Sequence, residues 1–333
     1  MSDKIVNSVP YPFTLPDPLP KGQPFNPSVL ENSRGARPSV QASRLRELFQ
    51  QGYRSRDKAL TFVLSYDGLS SRLIEEAGFQ AIFLGGYAMS ASAGLPDAGY
   101  IAFGEVSQKI AEVARQVSIP IMVDGDTGYG SPLNVYRTVQ GFAQAGAAGI
   151  MVEDQTWPKR CGHTKGKSVV PRAEAYARMQ AAIDARNEGI DIVILARTDA
   201  LIEGWDEAIA RALKFKEMGA DAIFIEALPD RAAMQKANEI VKAPMMANII
   251  QGALTENLSG KDLAGIGFAA IAYATTLVAA QLKSVREALE DLKKAMPVGP
   301  APVIESFDVI CQGVGFGKYW EMEKRYAPEN FQE

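Results

Sequence analysis

The chain has 333 residues, of which 47% are hydrophobic and 22% charged, with a net charge of −4 and a pI of 5.4. These values exclude a disordered or fibrous chain and leave no bulk basic field to attract nucleic acid. Two cysteines, Cys161 and Cys311, exclude a disulfide framework and suit a reducing, cytoplasmic setting.

Residues 1–42 hold eight of the nineteen prolines and little periodicity, which predicts an extended arm that orders only by packing on something else. The opening MSDKIVNSVPYPF has no apolar h-region, so no signal peptide is expected. A helical pattern starts near Ser43, in SRLRELFQQGY. From residue 60 short apolar runs alternate with amphipathic stretches. The runs are LTFVLSYDG from 60, QAIFLGG from 80, IPIMVDGDTG from 119, GIMVEDQ from 149, DIVILARTDA from 191, DAIFIEA from 221, APMMANI from 243 and FAAIAYA from 268. Strands apolar throughout, joined by helical crossovers, indicate a parallel sheet covered by helices. Ala77-Gly78, Ala145-Gly146 and Met218-Gly219 read as helix C-caps before a new strand. Eight such units predict an α/β (β/α)₈ TIM barrel over residues 43–296, followed by a helical extension over 297–333. No G-x-G-x-x-G follows the first strand, which speaks against dinucleotide binding. The uncharged run Ala264 to Leu282 is rich in Ala, Thr and Gly and reads as a strand plus a helix start, not a membrane span.

Barrel chemistry sits at the C-terminal strand ends, and those positions are unusually polar here. They carry Gly85-Gly86-Tyr87 and then Asp97, Asp124 and Asp126, Glu153, Arg197, Glu226 and Asn248. Acids converging on one mouth repel each other unless a cation compensates. With His163 as the only histidine, two-histidine zinc motifs are excluded, and a hard cation, Mg²⁺ or Mn²⁺, is expected on carboxylates and water. Arg197 and Lys159 would supply positive charge for a small carboxylate substrate. The loop after the fourth strand runs Trp157-Pro158-Lys159-Arg160-Cys161-Gly162-His163-Thr164-Lys165-Gly166-Lys167. Its basic side chains should lower the Cys161 thiol pKa and make it a proton carrier near neutral pH. Its glycines suit a lid. Cys311, in VICQGVGF, reads as packing.

Glu153-Asp154-Gln155, Lys159-Arg160-Cys161-Gly162-His163, Asp124-x-Asp126-Thr127-Gly128 and Ala196-Arg197-Thr198-Asp199 together resemble the isocitrate lyase / phosphoenolpyruvate mutase superfamily over about residues 43–295. The Lys159–His163 loop marks its lyase and hydrolase branches. Gly94-Leu95-Pro96-Asp97 and Asp154-Gln155-Thr156-Trp157-Pro158 are most similar to the dimethylmalate lyase, petal death protein and oxaloacetate hydrolase group, with methylisocitrate lyases sharing the motifs. The resemblance implies a barrel whose last helix is exchanged between subunits of a homotetramer, a dimer of dimers. It implies Mg²⁺ or Mn²⁺ with Asp126 as direct ligand and Asp97, Asp124 and Glu153 holding the metal waters. Arg197 would grip the substrate carboxylate, with backbone N–H groups at Gly85, Gly86 and Tyr87 beside it. Glu226, Asn248 and Gln251 would line the pocket, and Cys161 would protonate the departing carbanion, with Lys159, Arg160 and His163 around it.

The implied activity is cleavage of a 2-hydroxy diacid of the alkylmalate or methylisocitrate type into a 2-oxo acid, pyruvate or glyoxylate, and a carboxylic acid. Such chemistry needs an acidified hydroxyl, a stabilised enolate and a delivered proton. The chain departs from relatives at Gly85, commonly serine, at Gln251, commonly glutamate, and at Ala274, a serine in oxaloacetate hydrolases. The alternatives are an oxaloacetate acetylhydrolase-type hydrolase and a catalytically silent barrel that binds without turnover. No nucleic-acid or membrane partner is expected.

Overall fold

The computed structural model describes residues 39–252 and 254–331; the expectation for the arm over residues 1–38 lies outside them. Helix α1 (Val40–Arg54) starts earlier than its apolar pattern suggested, because the Ser39 side chain accepts a hydrogen bond from Ala42 N at 3.1 Å and caps it. Its apolar stripe, Ala42, Leu45, Leu48 and Phe49, is buried, and α1 meets strands β1 (Leu60–Ser65), β5 (Val193–Thr198) and β8 (Ala270–Tyr273). The helix therefore plugs the N-terminal end of the barrel. Gly52 is required there: a Cβ would stand 2.0 Å from the Ala269 carbonyl oxygen.

The remaining strands are β2 (Ile82–Leu84), β3 (Ile121–Asp124), β4 (Gly149–Glu153), β6 (Ala222–Ile225) and β7 (Met246–Ile249). All neighbours are parallel, in the order β6-β5-β4-β3-β2-β1-β8-β7. The last seam, β6 to β7, is held by a bridge between Ile223 and Met245, with Ile223 N donating to Pro244 O at 2.9 Å. The fold is the (β/α)₈ barrel its strand rhythm predicts. Almost every strand residue is buried, as expected for a sheet covered on one face by helices and filled by side chains on the other.

The crossovers are α2 (Gly68–Glu76), α3 (Gly86–Ser92) with α4 (Phe103–Ala114), α5 (Pro132–Ala145), α6 (Arg172–Asn187), α7 (Trp205–Met218), α8 (Arg231–Val241) and α9 (Gly260–Gly265). The short α3 and α9 carry too little periodicity to be read from sequence. Asp67, one of the polar residues after β1, is consumed by capping: it accepts from Ser70 N at 2.7 Å. Gly146 and Gly219 end α5 and α7 in the left-handed region at φ 116° and 104°, where a residue with a Cβ is strained. Helix α10 (Thr276–Ala295) buries only Val278 and exposes Leu282, Val285 and Leu289. Two helices follow, α11 (Phe307–Val314), which rests on α2, and α12 (Phe316–Arg325).

Candidate active site

The ends of β3, β4, β5 and β6 place Asp124, Glu153, Arg197 and Glu226 around one mouth, all buried. Arg197 is the hub. Its Nε lies 2.7 Å from Asp199 Oδ2 and 3.0 Å from Glu153 Oε2, and its Nη2 lies 3.0 Å from Glu226 Oε2. Its guanidinium also sits over the Phe224 ring, 5.4 Å from the centroid. Burial works against the Arg197 charge, but Asp199, Glu153 and Glu226 outweigh it and hold the pKa well above the ordinary arginine value. Burial likewise opposes Glu226, yet Arg197 and His163 reverse that and bring it down to about 2.

Asp154 faces outward from the mouth and builds the support. It accepts from Thr198 Oγ1 at 2.7 Å, Asp199 N at 2.8 Å and Arg211 Nη1 at 3.0 Å. Asp199, Arg211 and Lys167 are therefore parts of the site that sequence reading missed; Asp199 had a signal in the Ala196–Asp199 motif, whereas Arg211, in the middle of α7, had none.

Asp126 lies just beyond β3 at φ 47°. Asp124 anchors this turn, with Oδ1 accepting from Asp126 N and Oδ2 from Gly86 N, both at 3.1 Å. Lys159 Nζ is 2.8 Å from Asp126 Oδ1 and also contacts Asp97. Burial raises Asp126 to about 6 and pushes Glu153 well above the carboxylate range, with neighbouring acids adding to both shifts and Lys159 and Arg197 opposing them. Glu153 Oε1 is buried with no hydrogen bond, and Asp126 Oδ1 meets only the Lys159 ammonium, which Asp97 shares. The pocket thus holds more anionic oxygen than its own donors satisfy, which fits a cation. Among the described residues no three ligating side chains close on one point. The donor set therefore fits an ion held by one carboxylate and water, the usual habit of Mg²⁺, and not an all-protein cage.

The loop after β4 is a flap. Its base is an antiparallel pairing: Thr156 N donates to Ser168 O and Val170 N to Asp154 O, both at 2.9 Å. Gln155 grips the turn by donating to Arg160 O at 2.9 Å and accepting from Arg160 N at 3.0 Å. The flap reaches the rim at three points. Lys159 meets Asp97 and Asp126, His163 Nε2 lies 3.2 Å from Glu226 Oε1, and Lys167 Nζ lies 2.8 Å from Asp199 Oδ1. Gly162 makes this approach feasible, since a Cβ there would stand 2.3 Å from Glu226 Oε2. His163 Nδ1 accepts from Leu254 N at 3.4 Å, tying the flap to the loop after β7.

Cys161 lines the cleft below the flap. The expectation of a lowered thiol pKa is overturned. Burial raises it, and Asp97 and Glu226 add to the rise; a backbone hydrogen bond from His163 and the charge of Arg197 only oppose it. The basic side chains that are near in sequence are committed elsewhere: Lys159 and Lys167 to rim acids, and Arg160 to Lys165 O. The thiol is therefore held in its neutral form.

The structure separates the predicted residues. Gly86, Tyr87, Asp97, Cys161, His163 and Asn248 line the cleft with Asp124, Arg197 and Glu226, and Asn248 Oδ1 is buried without a partner. Lys159, Asp126 and Glu153 stand directly behind this lining. Arg160 does not belong: its side chain is exposed and turned toward Lys165, because Gln155 fixes the backbone on both sides of it. Gln251 is also exposed and away from the cleft, on the loop beyond β7. Gly85 is buried against Leu64 and does not face the cleft. The opposite wall is apolar, with Leu64, Phe83, Met151, Met246, Ala272 and Ala274. The enclosed space is about 50 Å³, where a water needs about 10–15 Å³, so a small ligand is implied.

Residues 49–293 match the model of the phosphoenolpyruvate phosphomutase family. The chain belongs to that family. It is 40% identical to a probable 2-methylisocitrate lyase 2 of Corynebacterium glutamicum over 229 residues, 68% of this chain and 74% of that one. It is 33% identical to the 2,3-dimethylmalate lyase of Eubacterium barkeri over 289 residues, 86% and 98% of the two chains. Among solved structures, a 2,3-dimethylmalate lyase matches with a TM-score of 0.81 and 28% identity, covering 87% of this chain and 97% of that one. An oxaloacetate acetylhydrolase bound to 3,3-difluorooxalacetate matches at 0.79 and 29%, covering 85% and 96%. With lyases among its relatives along most of its length, this member of the family is an enzyme, a carbon–carbon lyase of the isocitrate lyase / phosphoenolpyruvate mutase superfamily.

Proposed function

We infer that the protein is a Mg²⁺-dependent lyase (Mn²⁺ serving as well) that splits a 2-hydroxy diacid of the alkylmalate or methylisocitrate type into a 2-oxo acid and a carboxylic acid. The observation that carries this reading is the convergence of three groups on one cleft: an under-neutralised carboxylate cluster, a buried arginine and a neutral thiol on a flap. Asp126, with Asp97, Asp124 and Glu153 around it, would hold the cation, which would supply Lewis acidity at the substrate's 2-oxygen. Arg197, fixed on three acids, orients the substrate carboxylate and stabilises developing negative charge. Asn248 offers a free amide oxygen to a donor on the ligand. The 2-hydroxyl gives up its proton as C2 becomes the oxo carbon, and the electron pair of the breaking C2–C3 bond passes to C3 and the adjoining carboxylate. Cys161 Sγ delivers the proton that C3 requires, and the hydroxyl proton, carried by solvent once the flap opens, restores the thiol. The flap excludes water that would otherwise quench the carbanion.

The test offers alkylmalates, citramalate and methylisocitrate with Mg²⁺ and measures release of pyruvate or glyoxylate. Oxalate release from oxaloacetate is measured beside it, because an oxaloacetate acetylhydrolase is among the structural neighbours. Ala274, where such hydrolases carry a serine, lines the cleft and favours the lyase. Oxalate release alone would replace the lyase by the hydrolase, and no turnover of any of these would leave the silent barrel.

The exposed apolar face of α10 supports a homo-oligomer, a dimer of dimers, in which that helix packs on a neighbouring subunit. Light scattering on the purified protein measures the mass directly. Among the described residues no helix is long and apolar enough to cross a membrane, and a cytoplasmic setting is proposed from the free cysteines.

A further inference from the structure

Leu64 and Gly85 occupy one space. Leu64 is buried near the end of β1 and lines the cleft. It stands in register with Phe83 of β2, which lines the cleft beside it. A Cβ built on Gly85 would lie 2.2 Å from Leu64 Cδ2 and 2.8 Å from Cγ, but 3.5 Å from its Cβ. The first two distances are impossible and the third is an ordinary contact. Any side chain at position 85 and the branched end of Leu64 therefore exclude each other, while an alanine at 64 would admit both.

We propose that Leu64 and Gly85 form one specificity-determining pair that gives this end of the cleft to an apolar substituent of the substrate. The inference rests on the lyase reading for the reaction and goes beyond it in naming what the cleft selects. Leu64, Phe83, Ala272 and Ala274 make a continuous hydrocarbon wall. Among the described residues lining the cleft, Arg197 is the only permanent cation, and it already carries three acids. A substituent ending in a further carboxylate would lie against this wall with no partner, at a steep desolvation cost. A methyl or ethyl group there gains burial instead. With glycine at 85 no side-chain hydroxyl is present to offset that preference. The pair thus selects C-alkylated 2-hydroxy diacids against analogues bearing a third carboxylate, which narrows the proposed substrates to the alkylmalate type and sets methylisocitrate, itself a tricarboxylate, aside.

Four proteins test this: the wild type, Leu64→Ala, Gly85→Ser and the double variant. Thermal unfolding without ligand reads the steric exclusion. Gly85→Ser should lower Tm by about 3–8 °C through overpacking, and Leu64→Ala added to it should recover at least half of that loss. Additive losses in the double variant would overturn the pairing. Affinity with Mg²⁺ present, read from ligand-induced rises in Tm, uses citramalate as the alkyl probe and citrate as the carboxylate-bearing probe. The wild type should favour citramalate by at least about tenfold, and Leu64→Ala should cut that ratio at least about fivefold, with the double variant lower still. Equal ratios in all four proteins would overturn the specificity role. Selective binding without cleavage of any 2-hydroxy diacid would overturn the lyase reading and leave the pair's selectivity standing.

Discussion

The rim and the flap both bring charge to the mouth of the barrel, but they place it differently. On the rim, Asp124, Glu153 and Arg197 come from strand ends whose positions the ladder fixes, and Glu226 follows β6 directly. On the flap, Lys159, His163 and Lys167 are located by the acids they reach, while Arg160 and Lys165 find none and stay exposed. Rim residues are therefore assigned by register, and flap residues only by their partners. Similar basic character along the flap conceals three latches and two bystanders.

The sharpest way to test the rim is Asp126→Ala. It should abolish metal binding in a Mn²⁺ titration and lower turnover by about 10³ or more; retained binding would move the cation elsewhere on the rim. Next in size is the flap's own chemistry. Cys161→Ser keeps the shape but replaces the thiol by a far weaker acid, so turnover should fall by about 10²–10⁴ with metal binding unchanged. More than about a third of wild-type turnover would remove Cys161 from the reaction. The thiol's pKa is raised by burial, and the proposed proton delivery needs its protonated form. Wild-type kcat should therefore stay level through neutral pH and drop only as the alkaline side is reached, where the thiol ionises; that limb should be missing in Cys161→Ser.

Gly162→Ala probes the closure itself. Its methyl group would meet Glu226, so kcat/KM should fall by about 10–10² while Tm shifts by only a few degrees. A smaller effect comes from Lys167→Met, which removes one latch but leaves Asp199 its two bonds to Arg197. Stability should fall by about 1–3 kcal/mol in chemical denaturation and kcat/KM by about tenfold or less. At the bottom of the scale, Arg160→Ala should change stability by no more than about 0.5 kcal/mol, as at ordinary surface positions, and leave kcat nearly unaltered. A large loss at Arg160 would collapse the distinction between latches and bystanders.

Much of this was legible before any coordinates. The eight apolar runs fall on the eight strands, and helices cross over between them as the amphipathic stretches predict. The rim acids were legible because strand ends carry barrel chemistry and these ends are polar. Short elements were not: α3 spans seven residues and α9 six, too few for a helical period to emerge. The thiol's state was misread because proximity in sequence stood in for proximity in space. Lys159 is two residues from Cys161, yet its ammonium is spent on Asp97 and Asp126.

By itself the sequence determined the strand rhythm, the helix caps and the set of chemical groups at the mouth, because burial period and capping act over a few residues. Only the tertiary structure decided which cation meets which acid, that Gln251 and Arg160 lie outside the cleft, and that Leu64 and Gly85 share one space. Those outcomes depend on partners such as His163 and Leu254, 91 residues apart along the chain. They also depend on desolvation, which a charge acquires only when the whole barrel has closed around it.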